Sequence, residues 1–358
     1  MERLAIPNVG SYAVAFAALA DALGVEADIC RNITPKMLEL GSRHAPESCC
    51  LPFKAYLGHF LHAAQNGTEH ALMVNSPGRC RLTYYRILQQ KMLDDAGVKM
   101  TIWPWGFDGW KPQIIRHFEP GLRNFIMRGR CYFIKLVAVD QLETHVWKTR
   151  PLEINPGDTS ALMTRALTEL EAAKSVRQVR TFLRNLPRRF AAVAQDRSRR
   201  PLRVGLLGEC SVLRDRFLNH NVEEVLGGLG CEVRSFFQMG SEMQNLFHLG
   251  FTNRYSEKNQ LKKARGYLHY LVSGHALDSV ANSVRCAEDG YDGVVHLCPT
   301  GCMPEVSVRP ILRNACRDKH LPLLELSFDE HSAHSGVCTR LEAFTDMLLD
   351  LRGKRETS

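Results

Sequence analysis

The chain has 358 residues, 45% of them hydrophobic and 23% charged, which is a globular composition at a length of about two domains. No stretch is apolar for long enough to span a membrane, and "MERLAIPNVG" lacks the basic-then-apolar start of a secretory signal, so the sequence reads as cytoplasmic. Twelve cysteines in that compartment exclude a disulfide framework, and the net charge of +8 gathers in residues 174–203, a solvated basic helix face with no nucleic-acid module beside it.

In chain order, "RLAIPNVG" predicts a short strand, "AVAFAALADALGV" a core helix capped by Gly24, and "LGVEADI" the next strand. "PESCCLPFKAYLGHF" (46–60) places Cys49 and Cys50 in the loop before an apolar helix. "HALMVNSPGRCRLTYYRILQQKMLDDAGVKMTIW" (70–103) reads as strand, Cys80-bearing turn, helix and strand. Residues 106–195 carry few strand signals and form a helical insertion attached to the first half. After a polar break, "QDRSRRP", the order returns. "PLRVGLLGEC" is a strand, "EEVLGGLG" ends a helix at Gly230, and "CEVRSFF" is a strand. "GVVHLCPTGCMPEVSVRPILRNACRDKHLPLLELSF" (293–328) is again strand, cysteine turn, helix and strand. The expected architecture is α/β, with two similar open parallel-sheet domains, 1–195 (including the helical 106–195) and 201–358.

In such sheets ligands bind beyond the carboxyl ends of the strands, against helix N-termini. "NSPGRCR" and "CPTGCMPE" both fall there, one per domain, facing a common cleft. Thiolates suit soft metals and iron–sulfur clusters; without local C-x-x-C pairs the spacing is not that of a zinc ribbon or finger. The alternative is buried thiols beside tight turns. Adjacent side chains diverge, so Cys49 and Cys50 do not share one iron, and Cys298 at the strand end reads as core. Glu305 either caps the helix it begins or serves as an acid–base group. In "SFDEHSAHSG", Asp329 and Glu330 reach into the same cleft as cap groups or substrate partners, while His331 and His334 lack the further ligands of a zinc site. Lys54, His59 and Arg81 either hold an anion, bond cluster sulfurs or stay solvated. Neither a dinucleotide fingerprint nor a phosphate loop is present, so any ATP hydrolysis falls to a partner.

"CLPFK" with "GH", "GRCR", "RPLEINPGDT", the strand-end "GE", "GCMPE" and "LSFDE" with "TRLEAFTDML" resemble the 2-hydroxyacyl-CoA dehydratase superfamily, in particular its activase-related and double-cubane-cluster branch. The resemblance implies two flavodoxin-like domains holding an oxygen-sensitive iron–sulfur cluster. It also implies low-potential electrons from a separate ATP-hydrolysing, actin-fold activator. The family's cysteines match Cys50, Cys80 and Cys302. Where the family often has Cys-Gly-Pro-Cys-Arg, this chain reads Ser76-Pro77-Gly78-Arg79-Cys80-Arg81. Three ligands suit a [4Fe-4S] cluster with one iron bound by water, substrate or another residue; a double-cubane [8Fe-9S] cluster needs more. The implied activity is radical dehydration of an acyl-CoA, or reduction of a small molecule, in the interdomain cleft. Glu305 and Glu330 are the candidate catalytic groups, and a second related subunit or a second copy of the chain is a further partner. The rival is a binding or regulatory protein of this fold that has lost the cluster or holds zinc.

Overall fold

A computed structural model describes residues 2–74, 80–105, 113–247, 257–272 and 274–356. Short apolar strands followed by amphipathic helices build the same unit twice. The first comprises β1 (Arg3–Ile6), α1 (Ala13–Leu23), β2 (Glu26–Ile29), α2 (Pro35–His44), α3 (Leu51–Gln65), β3 (His70–Val74), α4 (Leu82–Asp95) and β4 (Thr101–Trp105). Helices α5 (Gln113–Phe118), α6 (Leu122–Thr149), α7 (Asp158–Ala172) and α8 (Val176–Ala191) follow. The second unit opens with β5 (Leu202–Gly208), α9 (Cys210–Arg214), α10 (Val222–Gly228), β6 (Cys231–Ser235), α11 (Met239–Phe247) and α12 (Glu257–Ala264). It closes with α13 (Ala276–Glu288), β7 (Gly293–Pro299), α14 (Met303–Asp318), β8 (Leu323–Phe328) and α15 (His334–Glu356).

Both sheets are wholly parallel, with the orders β2-β1-β3-β4 and β6-β5-β7-β8. Each is four strands arranged alike, so the repetition in the sequence is a repetition in topology. Every residue of β7, "GVVHLCP", is buried, as expected of a central strand covered by helices on both faces. These are the two flavodoxin-like α/β units expected from the alternation of strands and helices.

Helix α8 sorts its residues by face. Val179, Phe182, Leu186 and Phe190 are buried while Arg177, Arg180, Arg184 and Arg188 are exposed, and Ser175 with Gln178 forms a capping box at its start. The basic charge of this region therefore lies in water.

The two sheets do not have separate cores. Cys30, Ile33, Leu38, Leu51 and Ala55 from the first unit pack with Leu202, Val204, Val295, Leu297 and Phe344 of the second. On the other side α6 serves both units. Its Leu136, Val139 and Val146 join the core of α1 and α8. From the same helix, Asp140 accepts hydrogen bonds from Tyr12 (2.7 Å) and from the backbone of Gly240 and Ser241 at the start of α11 (3.1 and 2.8 Å).

Helices α2 and α3 touch backbone to backbone. A Cβ on Gly41 would lie 1.8 Å from the Lys54 carbonyl oxygen, and one on Gly58 1.8 Å from that of Met37. Only glycine allows this approach, and it fixes the line along which α3 delivers Cys50. No helix among the described residues is long and apolar enough to cross a membrane.

Candidate functional site

Three cysteines stand where helices begin. Cys50 is the N-cap of α3 and Cys302 the N-cap of α14, both in extended backbone and both followed by a proline in the first turn, where its missing N–H costs nothing. Cys80 precedes Arg81, the N-cap of α4. Backbone N–H groups of Phe53, Leu82 and Glu305 face the sulfurs of Cys50, Cys80 and Cys302 and favour their thiolates, though at Cys50 and Cys302 the approach falls short of a full cap hydrogen bond. The positive ends of three helices thus converge on three soft donors. Ser76, Pro77, Gly78 and Arg79 of the Cys80 turn lie outside the described residues.

The turns are close. Cys49, Cys50 and Cys302 belong to one buried cluster with Phe53 and Tyr85. Gly301, at φ 78°, presses on the opposite turn; a Cβ there would stand 3.3 Å from the Ser48 carbonyl oxygen and 3.4 Å from Cys50 Cα. Arg81 straps both turns, donating to the carbonyls of Ser48 (3.2 Å) and Gly301 (2.5 Å). Gly274 ties in the third; its Cβ position is 4.0 Å from Cys80 Cβ and 3.1 Å from Pro304 Cγ.

Burial pushes the Cys50 thiol up to about 12, opposed by the Tyr85 hydroxyl 2.7 Å from its sulfur. Burial also raises Cys80, and raises Cys302 well above the ordinary thiol range, helped there by the carboxylates of Glu209 and Glu305. Burial raises Cys30, Cys298 and Cys316 in the same way, so the shift reports burial, and the three thiols stand apart by their placement.

A single tetrahedral zinc would draw its thiolates to within about 4 Å of one another. The three sulfurs are not all within 4.8 Å of one another. Three thiols, each at a helix N-terminus, are donors of the kind that iron–sulfur clusters take. Cys298, the other cysteine of "CPTGC", is 1% exposed within β7 and directs its thiol at the Pro299 carbonyl (3.8 Å).

The predicted acids have other partners. Glu305, 1% exposed, does not close a cap on its own helix. Its Oε2 accepts from the Ser279 hydroxyl (2.9 Å) and lies 2.8 Å from His296 Nε2, a pair sealed in the interior. Glu330 Oε1 meets Lys54 Nζ at 2.7 Å, joining the end of the second sheet to the cysteine helix of the first. Burial pushes the Glu330 carboxyl up, but the bond and charge of Lys54 outweigh it and leave it below its usual value. Asp329 accepts from His331 N–H (3.0 Å) and the Ser332 hydroxyl (2.9 Å), shaping its own turn. His59 is buried and held neutral, at about 4, and faces Asp28 rather than the cysteines.

Three groups were not singled out from the sequence. Glu209 follows β5 as the N-cap of α9, accepts from Val212 N–H (2.9 Å) and from the Cys210 thiol (3.3 Å), and its charge raises Cys50, Cys80 and Cys302 together. The "GE" at that strand end marked the position without a role. Beyond it, Cys210 hydrogen-bonds His275, whose Nδ1 is 3.1 Å from Asp278 Oδ2. Tyr85 gave no signal, being one aromatic of an ordinary helix face.

One other donor set stands out. The ligand atoms of Glu2, His70 and His117 lie within 4.8 Å of one another. However, Trp103 Nε1–H points at His70 Nδ1 (3.2 Å), and an indole nitrogen only donates. The ring proton of neutral His70 is then on Nε2, facing Glu2 (3.6 Å), with no lone pair for a metal.

Two repeated parallel sheets with thiols at three converging helix N-termini define a protein of paired flavodoxin-like units around a soft-donor site. The sequence model of the 2-hydroxyglutaryl-CoA dehydratase D-component family matches residues 138–348, and the chain belongs to that family. No curated protein matches the chain. The resemblance read from the sequence is borne out at the level of the superfamily. The matched span contains Glu209, His275, Cys302, Glu305 and Glu330; Cys50 and Cys80 lie before it.

Proposed function

We propose that the protein is an iron–sulfur dehydratase component, with Cys50, Cys80 and Cys302 binding a [4Fe-4S] cluster. The observation that carries this reading is the convergence of those cysteines, from both sheets, on the N-termini of α3, α4 and α14. When bound, such a cluster supplies single electrons at low potential to a substrate. In the reading suggested by the family these arrive from an ATP-hydrolysing activator of actin-like fold, and the substrate is a 2-hydroxyacyl thioester. A small reducible molecule is the other substrate class.

The chain's own residues then have definite tasks. Arg81 and the Lys54–Glu330 pair clamp the two walls of the site together. The backbone N–H groups of the three helix starts offset the negative charge gathered there. Glu305 Oε2 and His296 Nε2 lie 2.8 Å apart in the interior, a hydrogen-bonded pair placed behind Cys302 for acid–base work. Glu330 is ionised beside Lys54 and becomes a base towards substrate only if Lys54 turns to another anion, such as a substrate carbonyl gaining charge.

A cluster-free or zinc-bound regulatory protein is the competing reading, and the spread of the sulfurs disfavours its zinc form. Anaerobic reconstitution with iron and sulfide tests the proposal. It predicts a brown protein with about four irons per chain, and loss of the chromophore in Cys302→Ser; a colourless protein overturns it.

A further inference from the structure

A cavity of about 430 Å³ opens between α1, α6 and the end of α7, lined by Ala18, Asp21, Arg128, Cys131, Lys135 and Lys174. Its volume is that of a small-molecule site. Lys135 is 1% exposed, and its ammonium has one bond, to the Glu171 carbonyl at the end of α7 (3.0 Å). Among the described residues no carboxylate at the cavity is free to neutralise it. Asp21 is held by Lys174 (3.0 Å), and the Glu171 carboxylate by Arg31 (2.5 Å). Arg128, exposed at the rim, donates to the Asp21 backbone carbonyl (3.2 Å) and makes no ion pair among the described residues. The wall therefore carries three cations against one carboxylate.

A helix C-terminus offers Lys135 some compensation, but burial still outweighs it. Desolvation first, and then the Lys174 charge, push the ammonium down to about 8.

We propose that this cavity binds a small anion, the phosphate or carboxylate group of a ligand held by Lys135, Arg128 and Lys174. The site is separate from the cysteines and does not depend on their assignment.

The test is thermal unfolding of the full chain titrated with inorganic phosphate and, separately, with succinate. One or both should raise the melting temperature of wild type, and the stronger names the group. Lys135→Met should weaken that anion by about tenfold or more, since it removes a charge-assisted bond. Arg128→Ala should give a smaller loss. The Lys135→Met protein should fold at least as well as wild type, because an apolar thioether then fills the place of a buried ammonium. Should it fail to fold, succinate binding to wild type decides, because that anion keeps its charge above pH 7. Binding should fall between pH 7 and 9.5 as Lys135 loses its proton. A Cys131→Ala background removes the thiol that lines the cavity beside Lys135. No stabilisation by either anion, equal stabilisation of Lys135→Met, or binding flat with pH would overturn the proposal.

Discussion

Lys54 Nζ and Glu330 Oε1 are 2.7 Å apart, although 276 positions separate them in the chain. The lysine is one turn into the helix that Cys50 begins, and the glutamate follows the last strand of the other sheet. This bond closes one side of the cysteine site, as Arg81 closes another.

Replacing Lys54 with Met should therefore cost stability and loosen the site. Lys54 is almost fully buried, while the Glu330 side chain keeps 26% exposure, so leaving that carboxylate unpaired should cost about 1–3 kcal/mol. Glu330 has a lowered carboxyl pKa, so its contribution is complete above the unfolded value of 4.5 and fades as pH falls through the folded one. Urea unfolding should show the full wild-type advantage at pH 7 and a smaller one at a pH below 4.5. An equal gap at both values would place the effect in lost packing instead.

Glu305 separates a structural role from a chemical one. Glu305→Ala leaves His296, fully buried, without its partner and should destabilise by about 2–4 kcal/mol. Glu305→Gln keeps an acceptor for Ser279 and should melt close to wild type while losing any acid–base activity. If Gln restores both stability and turnover, Glu305 only holds the interior together.

Gly301→Ala should damage the site by geometry alone. Its φ of 78° strains any side chain, and at 3.3 Å from the Ser48 carbonyl oxygen a methyl group is crowded against the Cys50 turn. A loss of about 1–2 kcal/mol is expected. Iron bound per chain should fall more steeply than stability, because the Cys50 and Cys302 turns are forced apart. Full iron content in this variant would contradict the placement of those turns.

Thiol reactivity gives a readout independent of any metal. With Cys50 held at about 12, its thiolate fraction at pH 8 is lower than that of an ordinary thiol by about a thousandfold. Alkylation of the metal-free protein followed by peptide mapping should label the less buried Cys338 well before Cys50. Fast labelling of Cys50 would mean that its pocket is open.

The sequence showed the repeated fold because each unit spells strand, helix and strand with its own punctuation, such as Gly24 and Gly230 at helix ends, both at positive φ. It also brought Cys50, Cys80 and Cys302 to strand ends and helix starts. What it could not show depends on long-range contact. Nothing local says that α6 ties both sheets through Asp140, or that α2 and α3 meet at Gly41 and Gly58. Glu305 was legible as an acid at a helix start. Its partner His296 was not, because "VVHLC" reads as a uniform buried strand whichever way the ring points.

The central claim is that three cysteines from two sheets hold one cluster. Iron and sulfide analysis with electron paramagnetic resonance of the anaerobically reconstituted, dithionite-reduced protein tests it most directly. About four irons and four sulfides per chain are predicted, with the reduced-cluster signal lost or altered in each of Cys50→Ser, Cys80→Ser and Cys302→Ser. An iron-free wild type, or a signal unchanged in all three variants, would contradict the account.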